Sequence, residues 1–236
     1  MLIGFSDGVF NKLFIDDTDR YKYSYLNKYF FNAIELHAVN EEIMNFIINN
    51  LDANLYLKFK YISLHAPSFY NNYKKDFILL EKIREICKKF EIKNVVIHPD
   101  QINNWDLLEE FSDLPLSIEN MDSDKNSFKS IKDFEAVSNY FNLKITLDLN
   151  HVYDNDKSML LAERFQDKFS DKIVEYHISG HDKIKKHVSL YKSKQLEIIK
   201  FLRYKQLPII IESDLNDVAL LKKEYMFIKK GLNSSN

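Results

Sequence analysis

Short apolar runs alternate with longer amphipathic stretches along the whole chain. The runs are Leu2–Phe5, Ala33–His37, Tyr61–His65, Asn94–His98, Leu116–Glu119, Lys144–Asp148, Ile173–His177 and Pro208–Glu212, eight in all. Runs this short and this rich in β-branched residues suit strands buried on both faces of a parallel sheet. The stretches between them carry helical periodicity, so each run with the stretch after it reads as a βα unit. Eight units in 236 residues predict closure into a single (β/α)8 TIM barrel, an architecture of typically ~250 residues. The expected barrel domain spans 1–232, and the polar residues 233–236 make a frayed tail.

Two helices are predicted in detail. Leu79, Leu80, Ile83, Ile86, Cys87 and Phe90 form one apolar stripe, which makes Cys87 a buried helix residue and not a nucleophile. The last helix is predicted over Asp217–Lys230, with Asn216 as its cap and Val218, Leu221, Tyr225 and Ile228 on its buried face. Gly231 then follows as a terminator. The charge runs Tyr73–Asp76 and Asp182–Lys186 read as solvated loop or helix-edge features.

Composition adds exclusions. Hydrophobic residues make up 45% and charged residues 29%, an ordinary globular balance. A net charge of −2 supplies no basic field to hold a polyanion. A lone cysteine rules out an intrachain disulfide and suits a reducing compartment. No signal peptide is evident and no apolar run nears the ~20 residues of a membrane span, so a cytoplasmic, membrane-free protein is expected.

The chemistry lies at the ends of the runs. Besides the run that ends on His37, six of the eight close on a potential metal ligand: His65, His98, Glu119, Asp148, His177 and Glu212. In a parallel barrel all strand C-termini open on one face, so these residues converge there. Mixed imidazole and carboxylate donors suit zinc, manganese, iron or cobalt better than calcium or an all-oxygen magnesium site. Three carboxylates buried together repel one another unless a cation lies among them.

The segments LHAPSF at 64–69, IHPD at 97–100, IENMD at 118–122, LDLNHVY at 147–153, HISGH at 177–181 and IIES at 210–213 resemble the xylose isomerase-like barrel superfamily. That group includes sugar and sugar-phosphate isomerases and epimerases and endonuclease IV. The resemblance covers nearly the whole chain. It implies that Glu119, Asp148, His177 and Glu212 are the four ligands of a single-metal epimerase site, with Glu119 and Glu212 doubling as the acid/base pair. It also implies that His65 and His98 complete a first zinc of the endonuclease IV type, and that His151 and His187 belong to a third. The third-zinc motif there is Asp-x-His, whereas this chain has Lys185 before Lys186 and His187, so that site departs from the pattern unless Asp182 substitutes.

Other residues carry weaker expectations. Glu35 and His37 share a strand face and either line the pocket or sit at its core edge. Glu175 shares a face with His177 and is a candidate to orient it. His181 reads as loop structure, and Asn120 and Asn150 as candidate partners of substrate hydroxyls. Two functions follow from one set of ligands, with one to three divalent ions. The first expectation is an isomerase or epimerase of a small sugar or sugar phosphate, moving a proton between Glu119 and Glu212 through an enediolate. The alternative is an endonuclease IV-like zinc-dependent phosphodiesterase, for which His65 and His98 argue. Against it stand the short loops, the slightly negative charge and Lys185; DNA is a partner only under that alternative, and a homo-oligomer stays open.

Overall fold

A computed structural model describes residues 1–10, 30–138, 143–182, 186–215 and 217–233. Eight parallel strands close in chain order: β1 (Ile3–Ser6), β2 (Ala33–His37), β3 (Tyr61–His65), β4 (Asn94–Ile97), β5 (Leu116–Glu119), β6 (Lys144–Asp148), β7 (Ile173–Ile178) and β8 (Ile209–Ile211). The β1–β8 pair, with Gly4 opposite Ile210, seals the barrel. Around it lie α1 (Glu41–Asn50), α2 (Ala53–Tyr56), α3 (Tyr73–Phe90), α4 (Asp106–Glu109), α5 (Ile131–Ser138), α6 (Leu149–Asn155), α7 (Leu160–Lys168), α8 (Leu190–Ser193), α9 (Leu196–Lys200) and α10 (Val218–Asn233). No helix among the described residues is long and apolar enough to cross a membrane.

The strands divide their residues by parity. One set, including Leu36, Leu64, Ile97, Ile118, Leu147, Ile178 and Ile211, packs against helix residues such as Leu80, Ile83, Phe134, Phe165 and Ile198 to form the apolar core. The other set faces the barrel axis, and here it is polar. Asn94 on β4 donates to Thr146 on β6 at 3.0 Å and to Glu175 on β7 at 3.1 Å. Ser117 and Thr146 share a bond of 2.7 Å. Bonds between strands that are not sheet neighbours cross the barrel interior, which in this fold is usually packed with branched apolar side chains. The polar axis is therefore a built feature beneath the rim. Gly4 is required for closure: a Cβ there would lie 2.2 Å from the Ala33 carbonyl oxygen of β2.

Several local expectations need correction. His98 and Glu212 lie one residue beyond their strands, because β4 stops at Ile97 and β8 at Ile211. Helix α3 starts at Tyr73, six residues before the apolar stripe, because Asn72 caps it by accepting the Lys75 amide. The charge run there is not wholly solvated: Asp76 is buried and accepts the amides of Tyr70 (2.7 Å) and Asn72 (2.9 Å). Cys87 is half-buried at the edge of the stripe; burial, then the Asp113 charge, push its thiol up to about 12. Helix α10 runs through Gly231 to Asn233 instead of ending before the glycine. A Cβ at Gly231 would lie 3.0 Å from Ile199, so the glycine lets α9 and α10 approach. The Asn216 cap, the Val218 side chain, Lys185 and residues 234–236 lie outside the described residues.

Candidate metal centre

The strand register delivers the predicted ligands to one rim. His37 pairs with His65 across β2 and β3, and Asp148 pairs with His177 across β6 and β7. A register shift between these last two strands pairs Thr146 with Glu175, which keeps Glu175 and His177 on the axial face. Glu119, Asp148, His177 and Glu212 offer ligand atoms that all lie within 4.8 Å of one another. His65, His98 and Glu119 form a second such group.

Glu119 belongs to both. Its Oε1 lies 2.9 Å from His177 Nδ1, while its Oε2 lies 3.0 Å from His98 Nε2 and 3.6 Å from His65 Nε2. Glu212 Oε1 approaches the same His177 nitrogen at 3.3 Å. Asp148 Oδ1 caps α6 by accepting the His151 amide, and its buried Oδ2 makes no hydrogen bond among the described residues. The other ring nitrogen of His177, Nε2, sits 3.1 Å from Glu175 and 3.1 Å from Glu35. Glu175 thus occupies the orienting position expected of it. Glu35, expected at the pocket or core edge, approaches the same nitrogen without a hydrogen bond; its pairing is with His177 across the barrel and not with its strand neighbour His37.

Without a cation the protons compensate. Burial pushes Glu119 up, but attraction to His177 and hydrogen bonds from His177, His65 and His98 outweigh it and hold the group well below the carboxylate range. Glu212 is likewise held below its ordinary value against burial, mainly by His177. Asp148 is pushed well above it by burial and by the charges of Glu119 and Glu212. Burial opposes the charged form of His177, yet Glu212, Glu35 and Glu119 raise it well above its ordinary value. His65 rises to about 9 for similar reasons, against burial, whereas burial lowers His98 despite its bond to Glu119. An imidazole walled by carboxylates at both nitrogens, beside an orphaned buried carboxylate oxygen, fits a divalent ion: Nε2–H would donate to Glu175, with the Glu35 charge 3.1 Å away, and Nδ1 would be left for the metal.

The remaining candidates divide. His151 gives Nδ1 to the Asn120 carbonyl at 2.7 Å, and its ring meets that of His187 edge-on at 5.4 Å. His187 Nδ1 lies 3.1 Å from Ser179 Oγ and 3.9 Å from Glu212. Among the described residues no third ligand completes a set with this pair. Lys186 binds Asp122, Asp124 and Asp154 at 3.2, 2.8 and 2.9 Å, tying the loops after β5 and β7 to α6. His181 bonds Asp154 at 2.8 Å and is loop structure, as expected. Asn120 and Asn150 are engaged by the backbone: Asn120 exchanges two bonds with the Asp148 backbone, and Asn150 donates to the Ser179 and Gly180 carbonyls. Both lock loops at the rim.

The rim encloses a cavity of about 290 Å³ lined by His37, His65, His98, Glu119, His151, His187 and Glu212 together with Lys125. A larger surface groove of about 970 Å³ along α10 has lysines and apolar side chains but no carboxylate or imidazole in its lining, and so no comparable chemistry.

No family model and no curated protein matches the chain. Solved structures do match over almost its full length. The fold is that of the xylose isomerase-like barrels. D-allulose 3-epimerase from Methylomonas sp. is 14% identical, covers 98% of each chain and has a TM-score of 0.67. The 3-keto-D-glucoside 4-epimerase YcjR from E. coli is 13% identical over 98% of this chain and 99% of its own, with a TM-score of 0.65. A family 2 AP endonuclease from Brucella melitensis is 10% identical over 92% and 94%, with a TM-score of 0.58. At such identities the likeness is one of fold, and it embraces both kinds of chemistry.

Proposed function

We propose that this barrel is a two-metal hydrolase of a small phosphate ester or phosphodiester. The observation that carries the proposal is the two-faced Glu119, with one oxygen toward His177 and the other toward His98 and His65. A carboxylate so placed suits a bridge between two ions, and a one-ion isomerase has no use for the two extra histidines. His65, His98 and Glu119 would hold one ion; Glu119, Asp148, His177 and Glu212 the other. A pair of divalent ions supplies Lewis-acid polarisation of a phosphoryl group and a more acidic water.

The chain's own residues set the rest. Asp148 and His177 are fully buried, whereas Glu212 is 14% and His98 28% exposed, so substrate meets the centre from the Glu212 and His98 side. Glu212 stands ionised at the cavity wall and can orient a water or accept its proton. Lys125, paired with Asp100 at 3.2 Å, is a cation in the same wall that suits an anionic substrate. The cavity volume favours a small ester over a long polymer.

A second reading, the isomerase or epimerase of a small sugar, is supported by Glu119 and Glu212, which approach one His177 nitrogen from β5 and from just past β8. The test runs both chemistries on one preparation. Protein loaded with zinc, manganese or cobalt is given bis(p-nitrophenyl) phosphate, p-nitrophenyl phosphate and an abasic duplex, and beside them ketoses and ketose phosphates in D2O. Two ions per chain with ester hydrolysis and no deuterium in carbon is the expected result. One ion per chain with deuterium in carbon would replace the hydrolase by the isomerase.

A further inference from the structure

Glu224 lies on α10, away from the rim, and its side chain is completely buried. Its Oε1 accepts from the Leu190 amide and the Ser213 hydroxyl, both at 2.6 Å. Its Oε2 accepts from the Ser189 hydroxyl at 2.6 Å and the Tyr191 amide at 2.9 Å. Among the described residues no cation pairs with it. A buried carboxylate served only by neutral donors is costly to desolvate, so the position asks for something a neutral side chain cannot give. A carboxylate can accept from four donors while presenting none of its own; an amide would turn two N–H groups toward them.

Those four donors belong to two segments, the start of α8 with its cap Ser189 and the loop after β8, and each segment adjoins a rim residue. Ser213 directly follows Glu212, and Ser189 comes two residues after His187. The loops are also joined directly, by the Asp214 amide donating to the His187 carbonyl at 2.6 Å. His187 has a left-handed backbone, φ 57°, and so does Lys194, φ 60°, at the other end of the segment. Non-glycine residues hold that conformation only where their surroundings over-determine it. The bridge between Gly180 and Val188 fixes one side of the segment, and Glu224 fixes the other.

We infer that Glu224 is a positioning residue: one buried carboxylate clamps the loops of Glu212 and His187 together, and so sets these two side chains against the metal centre. The inference rests on the metal reading of the rim for its purpose, and on the hydrogen bonds alone for its mechanics. It is tested on the full-length chain by backbone hydrogen exchange without metal and by zinc titration in a calorimeter, comparing wild type with Glu224→Gln, Ser213→Ala and Ser189→Ala. Glu224→Gln should speed exchange in both 186–191 and 212–215. Ser213→Ala should loosen only the second segment and Ser189→Ala only the first, with β2 to β6 unchanged in all three. Zinc affinity in Glu224→Gln should fall about 10- to 100-fold, the usual cost of losing a group that orients a ligand. Faster exchange over the whole barrel, in only one loop, or in neither would overturn the inference, as would loosened loops with unaltered zinc affinity. If Glu224→Gln does not fold, the two serine variants decide by the same segment-specific pattern. Wild-type protein that takes up no zinc would instead sink the metal reading, and the exchange pattern would still judge the clamp.

Discussion

Replacing Glu35 by Gln should weaken metal binding without unfolding the barrel. Glu35 Oε2 stands 3.1 Å from His177 Nε2, and neither Glu35 oxygen has a hydrogen-bond partner of full geometry. The change therefore strips no other group of its partner. It removes one of the two carboxylate charges beside His177 Nε2, the one that acts without a hydrogen bond while Glu175 holds the Nε2–H. Loss of such an orienting group typically costs 10–100-fold in affinity, about 1.4–2.7 kcal/mol. At a free metal concentration about 100 times the wild-type Kd, binding stabilises the wild type by about 2.7 kcal/mol and the variant by only about 0.4–1.4 kcal/mol. The difference corresponds to roughly 3–9 °C of metal-induced Tm shift in a chain of this size. The metal-free variant should be no less stable than wild type. Burial raises the Glu35 pKa, so ionisation costs folding free energy as pH rises above the ordinary carboxylate value; glutamine abolishes that cost. Calorimetric scans with and without zinc measure both effects. An unchanged zinc-induced shift in Glu35→Gln would refute the argument that this carboxylate acts through His177.

Three further outcomes follow from the geometry. His98→Ala should lower the metal content by one ion per chain and cut ester hydrolysis at least ~100-fold, whereas His181→Ala, which loses a bond to Asp154 and a ring contact with Tyr153, should retain both ions by elemental analysis. In metal-free protein the raised His65 pKa of about 9 contributes stability that is complete below 6.5 and is lost as pH rises through 9, up to about 3 kcal/mol; denaturant titrations between pH 6 and 10 measure it, and bound zinc should flatten the profile. Gly4→Ala should prevent normal folding, because no side chain can move aside from a backbone carbonyl 2.2 Å from the new Cβ; the readout is loss of a cooperative melt.

The strands and their ligands were legible because one periodicity carried both. Runs such as Tyr61–His65 and Lys144–Asp148 name their own C-terminal residue, and barrel closure makes the rest geometric. Helix bounds were less legible because they depend on caps the apolar pattern does not contain: Asn72 and Asp76 start α3 ahead of its stripe, and Gly231 serves helix packing where a terminator was expected. The polar barrel axis escaped notice because Ser63, Asn94, Ser117 and Thr146 look unremarkable one at a time; only the strand register brings three of them into contact with one another or with Glu175. Asn120 and Asn150 misled because an asparagine beside a ligand offers the same amide to a loop carbonyl as to a substrate. Glu224 gave no signal at all, since its donors lie 11 and 33–35 residues away in sequence.

The protonation pattern of the rim ties these observations to one further measurable consequence. Burial and its charged neighbours push Asp148 well above the ordinary carboxylate value, and Glu212, Glu35 and Glu119 push His177 well above its own despite burial. Both conditions are imposed by the same crowd of carboxylates, and a divalent ion among Glu119, Asp148, His177 and Glu212 removes the reason for both. Asp148 would then ligate as the carboxylate, and His177 would lose the proton on Nδ1 while Nε2–H keeps its bond to Glu175 beside Glu35. Uptake of that first ion should therefore release protons. His65, raised to about 9 by the same carboxylates in the metal-free protein, should add to the protons released as ions enter, whereas His98, lowered by burial, should not. Calorimetric titration in buffers of different ionisation enthalpy counts these protons directly. Glu35→Gln should reduce the first count, because a carboxylate that keeps His177 charged is gone. Uptake with no buffer dependence would mean that the ion does not enter between these groups, and the rim would have to hold its carboxylates by protonation alone.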